Sequence, residues 1–424
     1  MSDDRLAIDG GKPVRTEPFP HTSWGAGVVG EEELELVTEV VRSRSLFRAY
    51  GEVPPHMVDD LETEAREFFG ANHALAVTSG TAALHCGLAG LGIGAGDEVV
   101  MPSIVWLSDF NVPVMLGATP VIADIDRTLS LDPEDLESKI TSRTKAIMVV
   151  HFMGGVGHLD RILEVGRERG IPVVEDCAQS VGATFRGRRL GAIGDVGCFS
   201  FQHNKMMTSG EGGMVITADP IIFERAARFH DLGGLRAALE AQLADGPKLE
   251  EFAGAQYRMG ELAGAVALAQ LRKLDSEVVE LTRRHHRRLV AELTETCPGL
   301  GFRESGDPEG DAGISLYLDL GSPDPAAWFD EALKAEGIVT GATTRICNIL
   351  RRDYVRGKSQ LHPGMPPFGP GMPGEAMEYD FSDCRNTEDI IGSMVAIMIT
   401  PKMTDTDVDD IRDAVAKVWR AGER

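Results

Sequence analysis

A chain of 424 residues, 43% of them apolar, can bury a sizeable core and is long enough for two domains, or one large α/β domain with an appendage. Its formal net charge of -24 argues against nucleic acid or an anionic membrane surface as the main partner. No apolar run is long enough to cross a bilayer, and the acidic start Met1-Ser2-Asp3-Asp4 gives no expectation of a secretory leader. Six cysteines without a Cys-x-x-Cys pair point away from a disulfide framework or a zinc site and toward the cytosol.

Residues 1–30 are rich in Gly and Pro and read as an arm. Glu31 to Arg44 predicts a helix with Leu34, Val37 and Val41 on one apolar face. After a loop over Ser45 to Pro55 that carries Phe47, Arg48 and Tyr50, a second helix bears Val58, Leu61, Ala65 and Phe68 and stops at Gly70. Strands and helices then alternate. Ala74 to Thr78 is a strand, Ser79-Gly80-Thr81 a turn, and Ala82 to Leu91 a helix. Strands follow over Glu98 to Met101 and Pro120 to Ala123. Asp132-Pro133 with Asp135 starts a helix, since a cap, an early proline and an acid near the dipole's positive end coincide. Lys145 to Val150 is a strand, Leu159 to Arg169 a helix, and Pro172 to Val174 a strand ending in Glu175-Asp176. Repeated βα units of this kind predict a mainly parallel sheet with helices on both faces, whose ligands gather at the carboxyl ends of strands.

A strand-like run then ends in Ser200-Phe201. Lys205 follows in a polar turn, and Gly210-Glu211-Gly212-Gly213 leads into a strand over Met214 to Thr217. From Gly233 to Gln256 the periodicity fades, as in a mobile or surface insert. Helices are expected over Glu261 to Leu271 and Asp275 to Leu293, with a domain change between them. Ile314 to Leu320 reads as a strand, and Pro325 to Ala335 as a helix capped by Asp324. His362 to Gly374 must be a loop. The last helix has Thr404 or Asp405 as its cap and Val408, Ile411, Val415 and Val418 on its apolar face. The domain plan is an arm over 1–30, a large domain over 31–275 and a small domain over 276–424.

Four features past strand ends carry chemistry. Ser79-Gly80-Thr81 offers free N–H groups at a helix start, suited to phosphate, although the same tripeptide makes a generic cap. Asp176 ends a strand as a carboxylate that would need a cationic partner if buried, such as a protonated pyridine nitrogen, unless it only caps the next helix. Gln179, three residues on, could donate to a ring hydroxyl or be an ordinary polar helix residue. Trp106 could stack on a flat cofactor or sit in the core. Lys205 is either a surface lysine in a hairpin or, if buried, a neutral amine that attacks an aldehyde. Ser200, five residues before it, could supply a phosphate hydroxyl. Taken together in this order, they describe a pyridoxal phosphate site. No metal site is expected.

The set resembles the fold-type I aminotransferases, and within them the DegT/DnrJ/EryC1/StrS family of sugar and cyclitol aminotransferases, from about residue 5 to the C-terminus. The anchors are Ser79 to Leu84, Glu175-Asp176-Cys177-Ala178-Gln179, Ser200-Phe201 with Asn204-Lys205 and Gly210 to Gly213, and Tyr257-Arg258-Met259 with Glu261-Leu262 and Ala269-Gln270-Leu271. The resemblance implies a large domain with a mainly parallel seven-stranded sheet between helices, and a smaller α+β C-terminal domain. It implies pyridoxal 5'-phosphate, with Lys205 as the Schiff-base lysine, Asp176 on the pyridine nitrogen, Gln179 near the ring O3′ and Trp106 on the ring. Gly80, Thr81 and Ser200 would hold the phosphate. It also implies a homodimer with shared sites, in which an Asn before the Tyr-Arg pair reaches the partner's cofactor phosphate. Here that position is Gln256, and a Gly-Pro common near the N-terminal substrate loop is Gly51-Glu52. Lys205 stands where a dehydrating branch carries histidine, which favours transamination, with His203 nearby. The implied reaction moves an amino group from L-glutamine or L-glutamate to a keto-sugar or keto-cyclitol, in aminosugar or aminocyclitol biosynthesis for natural products or cell surfaces. Phe47, Arg48, Tyr50 and Arg345 are weaker candidates for touching the acceptor. The rival readings are a lyase or aminohydroxybenzoate-type synthase on the same fold, and a catalytically silent cofactor-binding regulator.

Overall fold

A computed structural model describes residues 5–20, 23–51, 53–341 and 347–422. Arg345 and Glu52 lie outside the described residues. The first helices are α1 (Glu31–Ser43) and α2 (Met57–Phe69), and both pack on α9 (Glu261–Lys273). Gly70 ends α2 in the left-handed conformation that glycine adopts without a Cβ penalty. The expected face of α1 is wrong by a roll of about one residue. Leu34 and Val41 are 58% and 59% exposed, while Val40 is fully buried. The roll follows from Glu33, which turns inward because Lys273 and Gln270 of α9 bind it.

The large sheet has seven strands in the order β1-β9-β8-β5-β4-β2-β3. These are β1 (His73–Val77), β2 (Glu98–Pro102), β3 (Thr119–Ala123), β4 (Thr144–Val150), β5 (Val173–Asp176), β8 (Val196–Ser200) and β9 (Gly213–Thr217). A small hairpin, β6 (Thr184–Phe185) with β7 (Arg188–Arg189), stands apart from it. All large-sheet neighbours from β8 to β3 run parallel, and β9 runs antiparallel to both β8 and β1. Every residue of β1, β2 and β3 is buried, as expected of strands covered on both faces. Helix α3 (Gly80–Leu91) packs on β8, β9 and α7 (Pro220–His230), and α4 (Leu107–Leu116) packs on α3. Helices α5 (Pro133–Lys139) and α6 (Leu159–Arg169) pack on one another, and the Asp132 side chain caps α5 by accepting from Glu134 N.

The insert after Gly233 is anchored rather than free. It forms α8 (Ala237–Glu240), buries Leu239 and Leu243, and sends Gln242 to bond the backbone of Ala74 and the carboxylate of Glu62. Helix α9 continues through a wider turn, Leu274–Val279, into α10 (Glu280–Thr296) without a break. Beyond it, β10 (Gly301–Phe302), β11 (Ser315–Asp319), β12 (Thr340–Gly341) and β13 (Met394–Met398) form an antiparallel sheet in the order β10-β11-β13-β12. A second apolar core gathers there, built from Leu289, Leu293, Phe329, Leu333, Ile411 and Val415. Helix α11 (Pro323–Ala335) begins two residues before the expected start, because Ser322-Pro323 rather than Asp324-Pro325 takes the cap and first-turn positions. The final helix, Asp405–Gly422, buries Val408, Ile411, Val415 and Val418 as expected. The N-terminal segment packs on this second unit: Ala7 N and Val14 N donate to the Glu336 carboxylate, and Arg15 pairs with Asp407 at 2.7 Å.

Candidate active site

The C-terminal ends of β1, β2, β4, β5 and β8 open on one edge of the large sheet, over a cavity of about 660 Å³. Seven of the expected site residues line it: Gly80, Thr81, Trp106, Asp176, Gln179, Ser200 and Lys205. Ser79 ends the β1 turn as the N-cap of α3, and its hydroxyl accepts from Ala82 N at 3.0 Å. The backbone N–H groups that follow have no partner one turn back in the helix, so they face the cavity with the positive end of the dipole. Gly80 is required for close approach here, since a Cβ on it would lie 2.6 Å from the Ser200 Cβ. The Thr81 hydroxyl meets the Ser108 hydroxyl at 2.7 Å, which brings α4 to the same corner of the cavity.

Asp176 is the last residue of β5, and its Oδ1 accepts from Ala178 N at 2.8 Å. No helix follows Asp176, since β6 is the next element, so the helix-cap reading fails and the carboxylate is buried in a turn. Gln179 uses its Oε1 to accept from Met153 N at 3.0 Å, which leaves its amide nitrogen as the remaining donor. Trp106 caps α4 with 51% of its surface exposed, so the core reading of this tryptophan fails. A large aromatic face left open on the cavity suits a stacked ring.

Lys205 sits in the loop between β8 and β9. Its backbone is fixed from two sides: its N–H donates to Gln202 O at 2.9 Å, and its carbonyl accepts from Gly25 N at 3.0 Å. Burial pushes the amine's pKa down, and the nearby Asp176 carboxylate only partly restores it. The result is an amine with an enlarged neutral fraction, held at one place in the cavity. His203, two residues away, is exposed and does not line the cavity.

Gln256 does not reach the cavity of its own chain. It forms an isolated bridge with Asp231, whose carboxylate also binds Arg258 and Arg236. The adjacent Tyr257 hydroxyl meets His85 Nδ1 at 3.0 Å, while burial holds that imidazole's pKa down at about 4. Of the weaker acceptor candidates, Arg48 is a buried structural cation clamped by Glu62 and Asp59. Tyr50 is exposed and accepts from Arg236 at 3.2 Å.

Sequence reasoning missed Trp24, Ser108, Asp109, Met153, Ile314, Cys347 and Met398, which also line the cavity. Ser108 and Asp109 had a usable signal, as polar residues inside the apolar run from Ile104 to Met115. Met153 shows backbone strain at the site (φ 49°, ψ 43°), in the left-handed region that non-glycine residues avoid. Ile314 and Met398 belong to the second unit, so the cavity lies between the two. Burial pushes the Cys347 thiol up to about 11, so it stays protonated at neutral pH.

Among the described residues, one buried His-Cys-Glu group has ligand atoms close together: His151, Glu175 and Cys177. Glu175 is already saturated there, accepting from His151 Nε2 at 3.0 Å and from the backbone of Gly191, Ile193 and Gly194. No described helix is long and apolar enough to cross a membrane.

The profile of the DegT/DnrJ/EryC1/StrS aminotransferase family matches residues 28–416. The chain is 37% identical over 328 residues to the L-glutamine:2-deoxy-scyllo-inosose aminotransferase of Streptomyces kanamyceticus, a match covering 75% of this chain and 73% of that protein. It is 41% identical over 227 residues to the GDP-perosamine synthase of Caulobacter vibrioides, which covers 53% of this chain and 58% of that one. Among solved structures, 3-amino-5-hydroxybenzoic acid synthase matches with a TM-score of 0.75 at 25% identity, over 97% of this chain and 100% of the other. With its fold-type I architecture and a profile match over nearly its whole length, the chain belongs to the DegT/DnrJ/EryC1/StrS aminotransferase family.

Proposed function

We propose that this aminotransferase uses pyridoxal 5'-phosphate to move an amino group from L-glutamine or L-glutamate to a keto-cyclitol or keto-sugar, in aminocyclitol or aminosugar biosynthesis. The observation that carries the reading is the convergence of Lys205, with its depressed pKa, the Asp176 carboxylate and the α3 N-terminus on one cavity. The donor set fits the cofactor. The N–H groups of Gly80 and Thr81, with the Ser200 hydroxyl, suit a phosphate. Asp176 suits a protonated ring nitrogen, the Gln179 amide a ring hydroxyl and Trp106 a ring face. Lys205 Nζ is the amine that would hold the aldehyde.

When bound, the cofactor supplies an electron sink for the carbanion chemistry. The chain supplies the rest. Asp176 holds a proton on the ring nitrogen, and Lys205, once free as a neutral amine, takes the proton from the α-carbon of the donor. The relatives' names support a polyhydroxylated keto acceptor: one acts on 2-deoxy-scyllo-inosose with L-glutamine, and the other carries GDP in its product. Borohydride reduction of the loaded enzyme should attach the cofactor to Lys205, and a label on any other lysine would overturn the assignment. Asp176→Asn should fold normally yet lose about 10²-fold or more in turnover, because a neutral amide cannot stabilise the ring's positive charge. Assay with L-glutamine against keto-cyclitols and nucleotide-linked keto-sugars identifies the acceptor. An aromatic aminohydroxybenzoate as product would instead favour the rival suggested by the solved synthase.

The working unit we propose is a homodimer with shared sites. The support is four apolar residues, Leu34, Val41, Leu46 and Val53, each more than half exposed, together with a Gln256 that does not line its own cavity. Lys205→Ala subunits mixed with subunits inactivated at Gln256 and Arg258 should regain activity after verified exchange. A fully active monomer in sedimentation at assay concentration excludes the dimer.

A further inference from the structure

The chemistry above leaves two acids of the cavity unused, the exposed Glu211 and the buried Asp109. Asp109 stands on the first turn of α4, three residues after Trp106, and is completely buried while still lining the cavity. Neither of its carboxyl oxygens completes a full hydrogen bond in the protein, and the nearby Trp106 and Asp109 backbone N–H groups only partly oppose the effect of burial. A fully buried carboxylate without a full hydrogen bond is among the costliest groups a fold can hold.

Its surroundings explain how it is tolerated. The titratable groups that face it are Asp176 from β5, Cys198 from β8, Lys205 from the β8–β9 loop, and Cys347. Both thiols are pushed up by burial, and Lys205 is pushed down, so none of the three offers a firm positive charge. The near neighbour is Asp176, another acid. As a carboxylate, Asp109 would repel it. As a carboxylic acid, Asp109 gains an O–H, and Asp176 becomes its acceptor. Burial first, and then the charge of Asp176, raise the Asp109 pKa well above the ordinary range.

We propose that Asp109 is a neutral carboxylic acid that donates a hydrogen bond to Asp176, making a pair that shares one negative charge. Asp109 is then a positioning residue. It touches no reacting atom, but it aims Asp176 at the ring nitrogen and limits how strongly that carboxylate draws a proton. This clause about the ring rests on the cofactor reading above, whereas the acid pair itself does not. Because the two carboxyls interact, their titration belongs to the pair.

The test has two arms on the full-length chain. In the first, infrared spectra of the cofactor-free protein at neutral pH should show the carbonyl stretch of a protonated carboxylic acid that shifts on deuteration and is missing from Asp109→Asn. A spectrum without a band that this substitution removes overturns the pair, whatever the cofactor does. In the second arm, the visible absorbance of the loaded enzyme is titrated in three proteins. Asp109→Asn keeps a neutral donor and should titrate as wild type. Asp109→Leu removes the donor, leaves Asp176 more basic, and should move the titration up by about one pH unit, a tenfold change. An ionised Asp109 predicts a downward move in both variants, because each removes a negative charge. A purely structural Asp109 predicts no move in either. Either result overturns the proposal. If Asp109→Leu does not fold, Asp109→Asn and the infrared arm still decide it. A chain that takes up no cofactor overturns the clause about the ring and leaves the infrared arm to judge the pair.

Discussion

Two places in the large unit bury charge to a similar depth, with opposite results. Under the 45–55 loop, Arg48 reaches Glu62 with two nitrogens at 2.8 Å and also binds Asp59, and these side chains of Arg48 and Glu62 are only 6% and 2% exposed. Nearby, Glu33 accepts from Lys273 at 2.6 Å and from Gln270 at 2.6 Å. Burial works against both Arg48 and Glu33, yet their partners more than offset it. The guanidinium is held above its ordinary pKa and the carboxylate below. In the cavity the balance tips the other way. Burial prevails over partners, so Lys205 is driven toward its neutral form and Asp109 toward its acid form. Buried charge that is fully paired marks scaffold. Buried titratable groups left short of partners and converging on one cavity mark chemistry.

The sharpest way to break that contrast is to remove one group from each side. Lys205→Ala should abolish turnover, by about 10⁴-fold or more, because it deletes the amine proposed both to anchor the cofactor and to act as base. It should leave the thermal midpoint equal or slightly higher, since a poorly matched cation is gone. A marked loss of stability would mean that Lys205 belongs with the scaffold. Glu62→Ala should do the reverse. It strands Arg48 in the interior with only Asp59 to meet it and should cost about 3–5 kcal/mol in denaturant unfolding. At a temperature where the variant is still folded, its turnover should stay near wild type.

The contrast also sorts what was legible in the sequence. Ser79, Asp176, Ser200 and Lys205 were readable because each follows a short apolar run, and the ends of those runs are the ends of parallel strands. Local pattern sufficed to place them on one edge. The inward roll of α1 was not readable, because Glu33 is buried through Gln270 and Lys273, the latter 240 residues away. For the same reason Ile314, Cys347 and Met398 went unnoticed: nothing near them in sequence says that the second unit closes the cavity. Helix α7 was missed for a lesser reason. Asp219-Pro220 repeats the cap-and-proline signature of Asp132-Pro133, with the Asp219 side chain accepting from Ile221 N and Ile222 N.

The Glu33 cluster allows a milder test with a pH signature. Glu33 is held below its ordinary value of 4.5, chiefly by Lys273, Gln270 and Gly30 N working against burial. A depressed acid contributes stability that is complete above its unfolded value and is lost as pH falls through the folded one. Glu33→Gln should therefore cost about 1–3 kcal/mol near neutral pH, less than Glu62→Ala because Lys273 keeps the Val28 carbonyl at 2.7 Å. The gap from wild type should narrow below pH 4.5. A gap that stays constant down the acid limb would show that packing, and not the ion pair, holds Glu33 inside.

The smallest effect is expected one residue away on the same helix. Arg272 grips Glu64 in a forked geometry, with Nη2 to Oε1 at 2.6 Å and Nε to Oε2 at 3.0 Å, bidentate like the Arg48–Glu62 pair. The difference is solvent, since the Arg272 and Glu64 side chains are 40% and 35% exposed. Water competes for both ions and salt screens them, so an exposed pair is worth about 0–1 kcal/mol, and the screening length falls to about 3 Å at 1 M salt. Glu64→Gln should shift the unfolding midpoint slightly at low salt and not detectably at high salt. Glu62→Ala should keep its cost under both conditions, because ions cannot enter where Arg48 lies. Both forks are bidentate, one through Nη1 and Nη2 and the other through Nε and Nη2, and burial is the larger difference between them. A salt-resistant loss in Glu64→Gln comparable to that of Glu62→Ala would show that fork geometry alone sets the strength of these pairs, and the division between paired scaffold and unpaired site would have to be drawn without reference to burial.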